Sequence, residues 1–134
     1  QPYRIQHELQ ETMQDLVGIV RKEEEMKRAL DAVHALKARA REVGVVGNRE
    51  YNPGWHTCLD LDHLVTVSEC IARAAIQRKE SRGAHFREDF PEKSAEWGRS
   101  NLTVRRSADG QMLVEKTPVI EAPAELKQVI EANK

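Results

Sequence analysis

LDLDHLVTVSECIARAAIQ, residues Leu59–Gln77, is the most apolar run in a chain of 134 residues. On a helix, its leucines, valines, isoleucines and alanines would spread around most of the circumference. That distribution is typical of the central helix of a bundle, whereas a surface helix carries its apolar residues on one stripe. The run therefore predicts a long helix that begins at Trp55 or Leu59, ends near Gln77 and is surrounded by other helices.

Two amphipathic segments precede this run. Between Tyr3 and about Lys22, apolar residues recur every three or four positions, which predicts a first helix. The same periodicity returns from Met26 to Val43, with an acidic first turn, a basic last turn and Gly44 to end the helix. The two helices are expected to pack as an antiparallel pair and to leave apolar surface for a third element. The prediction is a mainly α fold, a spectrin-like up-down-up bundle of three helices.

A small β-hairpin is expected after the bundle. The segments Leu102–Arg106 and Met112–Lys116 flank Ser107–Gly110, whose Asp-Gly pair supplies the positive-φ residues of a hairpin turn. A two-stranded ribbon is only marginally stable alone, so it must lie on the rest of the domain. Residues 124–133 are expected to form a short terminal helix.

Size and charge indicate one domain of ordinary type. We expect residues 1–100 to form the helical bundle, including a charged loop at 78–91, and residues 101–134 to add the hairpin and a C-terminal tail of the same domain. The net charge of −1 provides no field that would attract nucleic acid. No apolar run approaches the ~20 residues that span a bilayer, and the polar amino end carries no targeting signal. We therefore expect a soluble chain with no nucleic-acid partner and no direct membrane insertion.

Metal and catalytic sites have little support in the sequence. The five histidines and two cysteines match no standard zinc spacing. On one helix Cys58 and Cys70 would lie roughly 18 Å apart, beyond the ~7 Å reach of a disulfide, which indicates reduced thiols. Neither a G-x-S-x-G nucleophile turn nor a G-x-G-x-x-G phosphate loop is present. We expect no catalytic, cofactor-binding or metal-binding residue in this chain.

The segment after the apolar run concentrates the charged chemistry. Residues Arg78–Pro91, RKESRGAHFREDFP, hold three arginines, three acids and one histidine. If the ion pairs are exposed, each contributes no more than about 1 kcal/mol and the loop is a solvated surface. If the arginines are desolvated against another surface, their bidentate contacts are much stronger and the loop is a docking element. Chemistry alone leaves both interpretations open.

The same segment carries a family resemblance. Together with Asn52–His56 and the ribbon Trp97–Val119, it resembles the carboxy-terminal domain of the flavoprotein subunit of succinate dehydrogenase and fumarate reductase. The related L-aspartate oxidases carry a similar run to Glu80–Gly83. The resemblance covers essentially the whole chain. It implies a helical domain that packs on the FAD-binding domain of the same subunit and lies near an iron–sulfur subunit.

The resemblance also sets expectations for function. It implies an FAD-dependent enzyme that interconverts succinate and fumarate, cytoplasmic and peripheral at the inner face of a bacterial membrane through partner subunits. In that family, FAD and the catalytic residues belong to upstream domains, so the chain alone is expected to bind no FAD and to be inactive. Loop residues carry over as docking residues. They are Arg78, Glu80, Ser81, Arg82, His85, Arg87 and Asp89.

An alternative from another class remains open on the sequence. A free-standing helical adaptor could use the same loop to bind a partner protein without any redox role. An upstream G-x-G-x-x-G motif in the parent reading frame would favour the flavoprotein, and its absence would favour the adaptor.

Overall fold

Four helices and two small two-stranded sheets make up the chain, and the computed structural model describes all 134 residues. The helices are α1 (Pro2–Leu16), α2 (Glu23–Ala40), α3 (Pro53–Gln77) and α4 (Ala124–Ala132). The strands are β1 (Val20–Arg21), β2 (Phe86–Arg87), β3 (Ser100–Arg106) and β4 (Met112–Pro118). A single 3-10 turn, Trp97–Arg99, precedes β3.

The core lies where the three long helices meet, since α1, α2 and α3 contact one another pairwise. One buried cluster lies around the amino-terminal half of α3, and a second lies at its carboxyl half. The first contains Ile5, Leu9, Val33, Leu36, Leu61 and Val65. The second contains Val17, Met26, Ala29, Ala72 and Ala75. The mainly helical fold is confirmed, while the up-down-up order of the helices stays a prediction.

The connection between α1 and α2 differs from the prediction. The first helix ends at Leu16 and does not reach Lys22, because the chain turns and forms β1. A Cβ atom at Gly18 would lie 2.5 Å from the carbonyl oxygen of Gln14, so this turn requires glycine. The apolar pair Ile19 and Val20 fits the helical periodicity, which is why the sequence predicted a longer helix.

Helix α3 begins with an asparagine cap. The Oδ1 atom of Asn52 accepts a hydrogen bond from the backbone N–H of Gly54 at 3.1 Å, and Pro53 occupies the first turn, where no N–H is needed. The side-chain amide of Asn52 also donates to the carbonyls of Asn48 and Val46 at 2.9 and 3.2 Å. The same side chain therefore starts the helix and closes the loop before it.

Replacing Asn52 with alanine is expected to lower the free energy of unfolding by about 1 kcal/mol, because the cap and two loop hydrogen bonds are lost. Urea unfolding followed by circular dichroism measures this change. Asn48→Ala is the matched control, since only the backbone carbonyl of Asn48 is used. Equal stability of the two variants would contradict the role of the cap.

The other helices of the chain bury only one face of α3. Leu61, Val65 and the small residues after them face α1 and α2. A second apolar face stays open: Val67 is 56% exposed, Ile71 is 43% exposed, and Leu64 is also exposed. Steps of three and four residues place these three on one stripe, here called the exposed stripe of α3. The expectation that helices of this chain surround α3 is therefore wrong on that side.

The predicted hairpin is confirmed. Strands β3 and β4 pair antiparallel with Val104 opposite Val114, and Gly110 in the connecting turn has φ of +83°. The ribbon lies against α3, as its marginal intrinsic stability requires. The terminal helix α4 has no buried residue. None of the four helices combines the length and the apolar character that a bilayer crossing requires.

Candidate functional site

The charged loop Arg78–Pro91 has a defined conformation. Its tip is a tight turn in which the N–H of Arg82 donates to the carbonyl of His85 at 2.8 Å and the reverse bond measures 3.1 Å. Gly83 in this turn has φ of +58°, a conformation that other residues adopt only with strain. Beyond the turn, β2 pairs in parallel with β1. The loop is thus joined to the α1–α2 connection.

Arg87 lies at the centre of the loop and is fully buried. Its Nη1 atom donates to three carbonyls at the carboxyl end of α3, those of Ala75 at 3.0 Å, Ile76 at 2.9 Å and Arg78 at 3.3 Å. These carbonyls have no partner within the helix, and a helix carboxyl end favours a positive charge. Arg87 therefore caps α3.

Asp89 completes this cap with a bidentate pair. Nε of Arg87 donates to Oδ1 at 2.8 Å and Nη2 donates to Oδ2 at 2.6 Å. Oδ2 also accepts from the backbone N–H of Glu23 at 3.2 Å, at the amino end of α2. The hydrogen bonds from Arg87 lower the pKa of Asp89 to about 2. The pair joins the carboxyl end of α3 to the amino end of α2. The positive charge of Arg87 lies at the carboxyl end and the negative charge of Asp89 at the amino end, as the helix dipoles favour.

Glu80 is a second buried charge, with two hydrogen-bond donors and one further ion pair. Its carboxylate lies 3.0 Å from Nε of Arg82 and 3.2 Å from Nε of Arg78, and it accepts the backbone N–H of Ser94 at 2.8 Å. Burial acts to raise the pKa of Glu80, but the hydrogen bonds from Arg82 and Ser94 outweigh it and hold that pKa below its ordinary value. The carboxylate therefore stays ionised and holds both arginines in place.

Ser81 closes the base of the loop. Its Oγ atom accepts from the backbone N–H of Arg87 at 2.9 Å and lies 2.8 Å from the carbonyl of Phe90, to which it donates. The backbone N–H of Ser81 donates to the carbonyl of Glu92 at 3.1 Å. A buried hydroxyl with both donor and acceptor roles satisfied fixes the path of the chain here.

His85 is neutral and contacts two arginines. Its Nε2 atom lies 3.0 Å from the carbonyl of Arg78, which can only accept, so Nε2 carries the proton. Nδ1 then accepts from Nη1 of Arg21 at 2.9 Å. Burial and the nearby positive charges of Arg21, Arg87 and Arg78 lower the pKa of His85. His85 therefore acts as a hydrogen-bond bridge in the site and not as a cation.

The predicted docking residues all lie together in this loop, but they differ in exposure. Glu80, Ser81 and Arg87 are buried inside the chain, where they shape the loop. The side chains that reach the surface belong to the remaining residues of the set, and Arg82 is 38% exposed. Those residues are Arg78, Arg82, His85 and Asp89.

Sequence reasoning missed Arg21 and a further cluster around Glu69. Glu69 is buried, and its carboxylate lies 2.8 Å from Nε of Arg73, 3.1 Å from Nε2 of His34 and 3.2 Å from Nζ of Lys37. Burial acts to raise the pKa of Glu69, yet these hydrogen bonds bring it down to about 2. Only the spacing of Glu69 and Arg73, four positions apart on one helix, was visible in the sequence.

Metal-binding side chains do not gather anywhere in the chain. No group of three or more histidine, cysteine or acidic residues is placed to hold a metal ion. Cys58 and Cys70 are free thiols on α3.

A comparison with known protein families identifies the family of this chain. The family model described as fumarate reductase flavoprotein C-term matches residues 6–130, which include the entire charged loop. The chain belongs to this family. It is 30% identical over 116 residues to the fumarate reductase flavoprotein subunit of Mycobacterium tuberculosis, covering 86% of this chain and 20% of that protein. It is 40% identical over 96 residues to the L-aspartate oxidase of Acinetobacter baylyi, covering 72% of this chain and 17% of that protein.

Solved structures of the family share the fold. The Sdh1 complex of Mycobacterium smegmatis with UQ1 matches at a TM-score of 0.78 and 48% identity, over 88% of this chain and 20% of that one. An E. coli quinol fumarate reductase matches at a TM-score of 0.81 and 29% identity, over 92% of this chain and 22% of that chain. The chain thus spans about a fifth of the length of the relatives it matches. The predicted family resemblance is confirmed.

Proposed function

We propose that the chain is the carboxy-terminal helical domain of an FAD-dependent flavoprotein subunit that interconverts succinate and fumarate with electron transfer. The observation that carries this proposal is the family match over residues 6–130. FAD belongs to another domain of the same subunit, and this domain binds none. The iron–sulfur subunit lies nearby, and partner subunits hold the enzyme at the cytoplasmic inner face of a bacterial membrane. Within this proposal the three long helices run up-down-up.

The charged loop is the docking element of this domain. Glu80, Ser81 and Arg87 act from inside, because they fix the loop through buried hydrogen bonds. Arg78 and Arg82 present guanidinium groups that are already oriented by Glu80. Arginines oriented in this way lose little side-chain entropy when they meet a partner. The seven loop residues thus serve docking in two ways, as internal supports and as contact groups.

Arg82→Ala in the subunit that carries this chain is expected to reduce FAD content and succinate oxidation several-fold. The side chain of Arg82 is 38% exposed, and Arg78 and the N–H of Ser94 still hold Glu80 when Arg82 is removed. Flavin absorbance, copurification of the iron–sulfur subunit and succinate oxidation with a dye acceptor measure the effect.

Arg28→Ala is the control, since Arg28 is exposed and forms no ion pair. Unchanged assembly, flavin content and succinate oxidation in Arg82→Ala would contradict the docking role of Arg82. A parent subunit with neither bound flavin nor an upstream G-x-G-x-x-G motif would favour the adaptor instead.

A further inference from the structure

Arg21 stands out among the arginines because it is partly buried and has no acidic partner. Its Nε atom donates to the carbonyls of Gly18 at 2.8 Å and Val17 at 3.3 Å, and Nη1 donates to His85. No carboxylate pairs with it, and Nη2 has no hydrogen-bond partner in the chain. The other arginines without an acidic partner are all exposed. They are Arg28, Arg41, Arg49, Arg99 and Arg106.

An open cleft of about 420 Å³ lies beside this guanidinium. Ile71 and Ala74 of α3 and Leu102 of β3 form apolar walls, and Arg78 and His85 lie at the polar end near Arg21. No acidic residue lines the space, here called the Arg21 cleft. The exposed stripe of α3 ends in it at Ile71.

The positive charge of Arg21 lies against carbonyls at the carboxyl end of α1 but has no carboxylate partner within the chain. A charge removed from water is costly unless it is paired, and the buried arginine of this loop, Arg87, has its carboxylate. His85 cannot serve as the partner, because a neutral imidazole carries no negative charge. Nη2 of Arg21 is left free to pair with a carboxylate from outside these 134 residues.

We propose that the Arg21 cleft receives an aspartate or glutamate side chain from the flavin-binding part of the same subunit. The carboxylate pairs with Arg21, and an apolar side chain next to it in that segment packs on Ile71, Ala74 and Leu102. This inference rests on the proposed function. It adds the surface through which the domain docks, the Arg21 cleft, and the group that binds there, a carboxylate. The charged loop alone does not define that surface.

A protein segment fits the cleft better than a small anion. A free anion would neutralise Arg21 but would leave the apolar walls and the exposed stripe of α3 in water. A segment of the same polypeptide covers both, and the matched relatives are about four times as long as this chain. An intrasubunit partner also has a high effective concentration, so one buried pair suffices to fix its position.

A photo-crosslinking amino acid at Ile71 of the full-length holo-subunit tests the proposal. We expect crosslinks to one peptide of the flavin-binding part that contains an aspartate or glutamate, identified by mass spectrometry. Val46, which is 99% exposed in the α2–α3 connection, is the control position and should give no specific crosslink. Crosslinks to the iron–sulfur subunit, crosslinks to a second copy of the chain or no crosslink would each overturn the proposal.

A second measurement isolates the charge of Arg21. In the same full-length protein, Arg21→Gln should lower the crosslink yield from Ile71 at least tenfold, while Arg21→Lys should keep part of it. Arg49→Gln, at an exposed arginine without an acidic partner, should leave the yield unchanged. An unchanged crosslink yield in Arg21→Gln would show that no carboxylate pairs with Arg21, and it would overturn the proposal.

Crosslinks from Lys79 in the charged loop separate this inference from the proposed function. If Lys79 crosslinks to the flavin-binding part and Ile71 does not, the domain docks through its loop and the Arg21 cleft is not occupied. If neither position crosslinks and the subunit binds no flavin, the proposed function itself fails.

Discussion

Replacing Arg87 with methionine is expected to lower the free energy of unfolding of the chain by about 3–5 kcal/mol. The carbonyls of Ala75, Ile76 and Arg78 at the end of α3 lose their donor, and Asp89 loses its bidentate partner. Methionine has a similar length but cannot donate a hydrogen bond. The cost comes mainly from the carbonyls, which stay buried without a donor, whereas Asp89 is 31% exposed and can bond to water.

Urea unfolding followed by far-ultraviolet circular dichroism measures this loss. Arg105→Met is the matched control, because Arg105 also forms a bidentate pair, with Glu115 at 2.8 and 3.0 Å, but on the exposed hairpin. That variant should change stability only marginally. Arg87→Lys should fall between the two, since it keeps the charge but loses the planar fork. Equal stabilities for Arg87→Met and Arg105→Met would contradict the cap.

Glu69→Gln is expected to cost about 3 kcal/mol near pH 7 and to remove part of the acid sensitivity of the fold. The pKa of Glu69 falls from its ordinary value of 4.5 to about 2 in the folded chain. A lowered folded pKa contributes stability above pH 4.5, and this contribution is lost as the pH falls toward 2. Glutamine cannot ionise, so its curve should be flatter between about pH 5 and pH 2.

Unfolding free energies measured from pH 7 down to pH 2 test this expectation. Asp89, with its pKa of about 2, still contributes acid sensitivity in the variant, so the curve should flatten but not become level. Glu50→Gln is the control, because Glu50 is exposed in the α2–α3 connection and forms no ion pair, and it should follow the original curve closely. If Glu69→Gln kept the full pH dependence, the result would contradict the stabilisation of the ionised Glu69 carboxylate by its three partners on α2 and α3.

The helices and the hairpin were predictable because each is encoded locally. Periods of three and four residues placed the three long helices, and Asp109-Gly110 placed the hairpin turn. Strand β1 left no such signal, since two residues have no period and their partner β2 lies far along the chain. The predicted end of the first helix therefore overshot Leu16 and included residues that pair with the loop.

The location of the candidate site could be predicted from the sequence, but its internal arrangement could not. The density of charge and the family pattern identified Arg78–Pro91, yet residue type suggested exposed side chains at Glu80 and Arg87. Both are fully buried, because enough donors and acceptors converge on each to replace water. Arg21 was missed, since only the tertiary fold brings it next to His85.

The apolar composition of α3 was interpreted too simply. An apolar face must be buried, but sequence does not state whether the same chain or another part of a larger assembly buries it. Leu64, Val67 and Ile71 are such a face. Their exposure here agrees with a domain that spans about a fifth of the length of its relatives.

The pairing of β1 with β2 also bears on the order of folding. Closing the long stretch of chain between them costs entropy that two residue pairs cannot offset by themselves. We therefore expect the pairing to form only after α2 and α3 have packed, so the charged loop is expected to be the last part to take its shape. In a chain with an incomplete core, the charged loop is then expected to lack the conformation that its pairing with β1 supports.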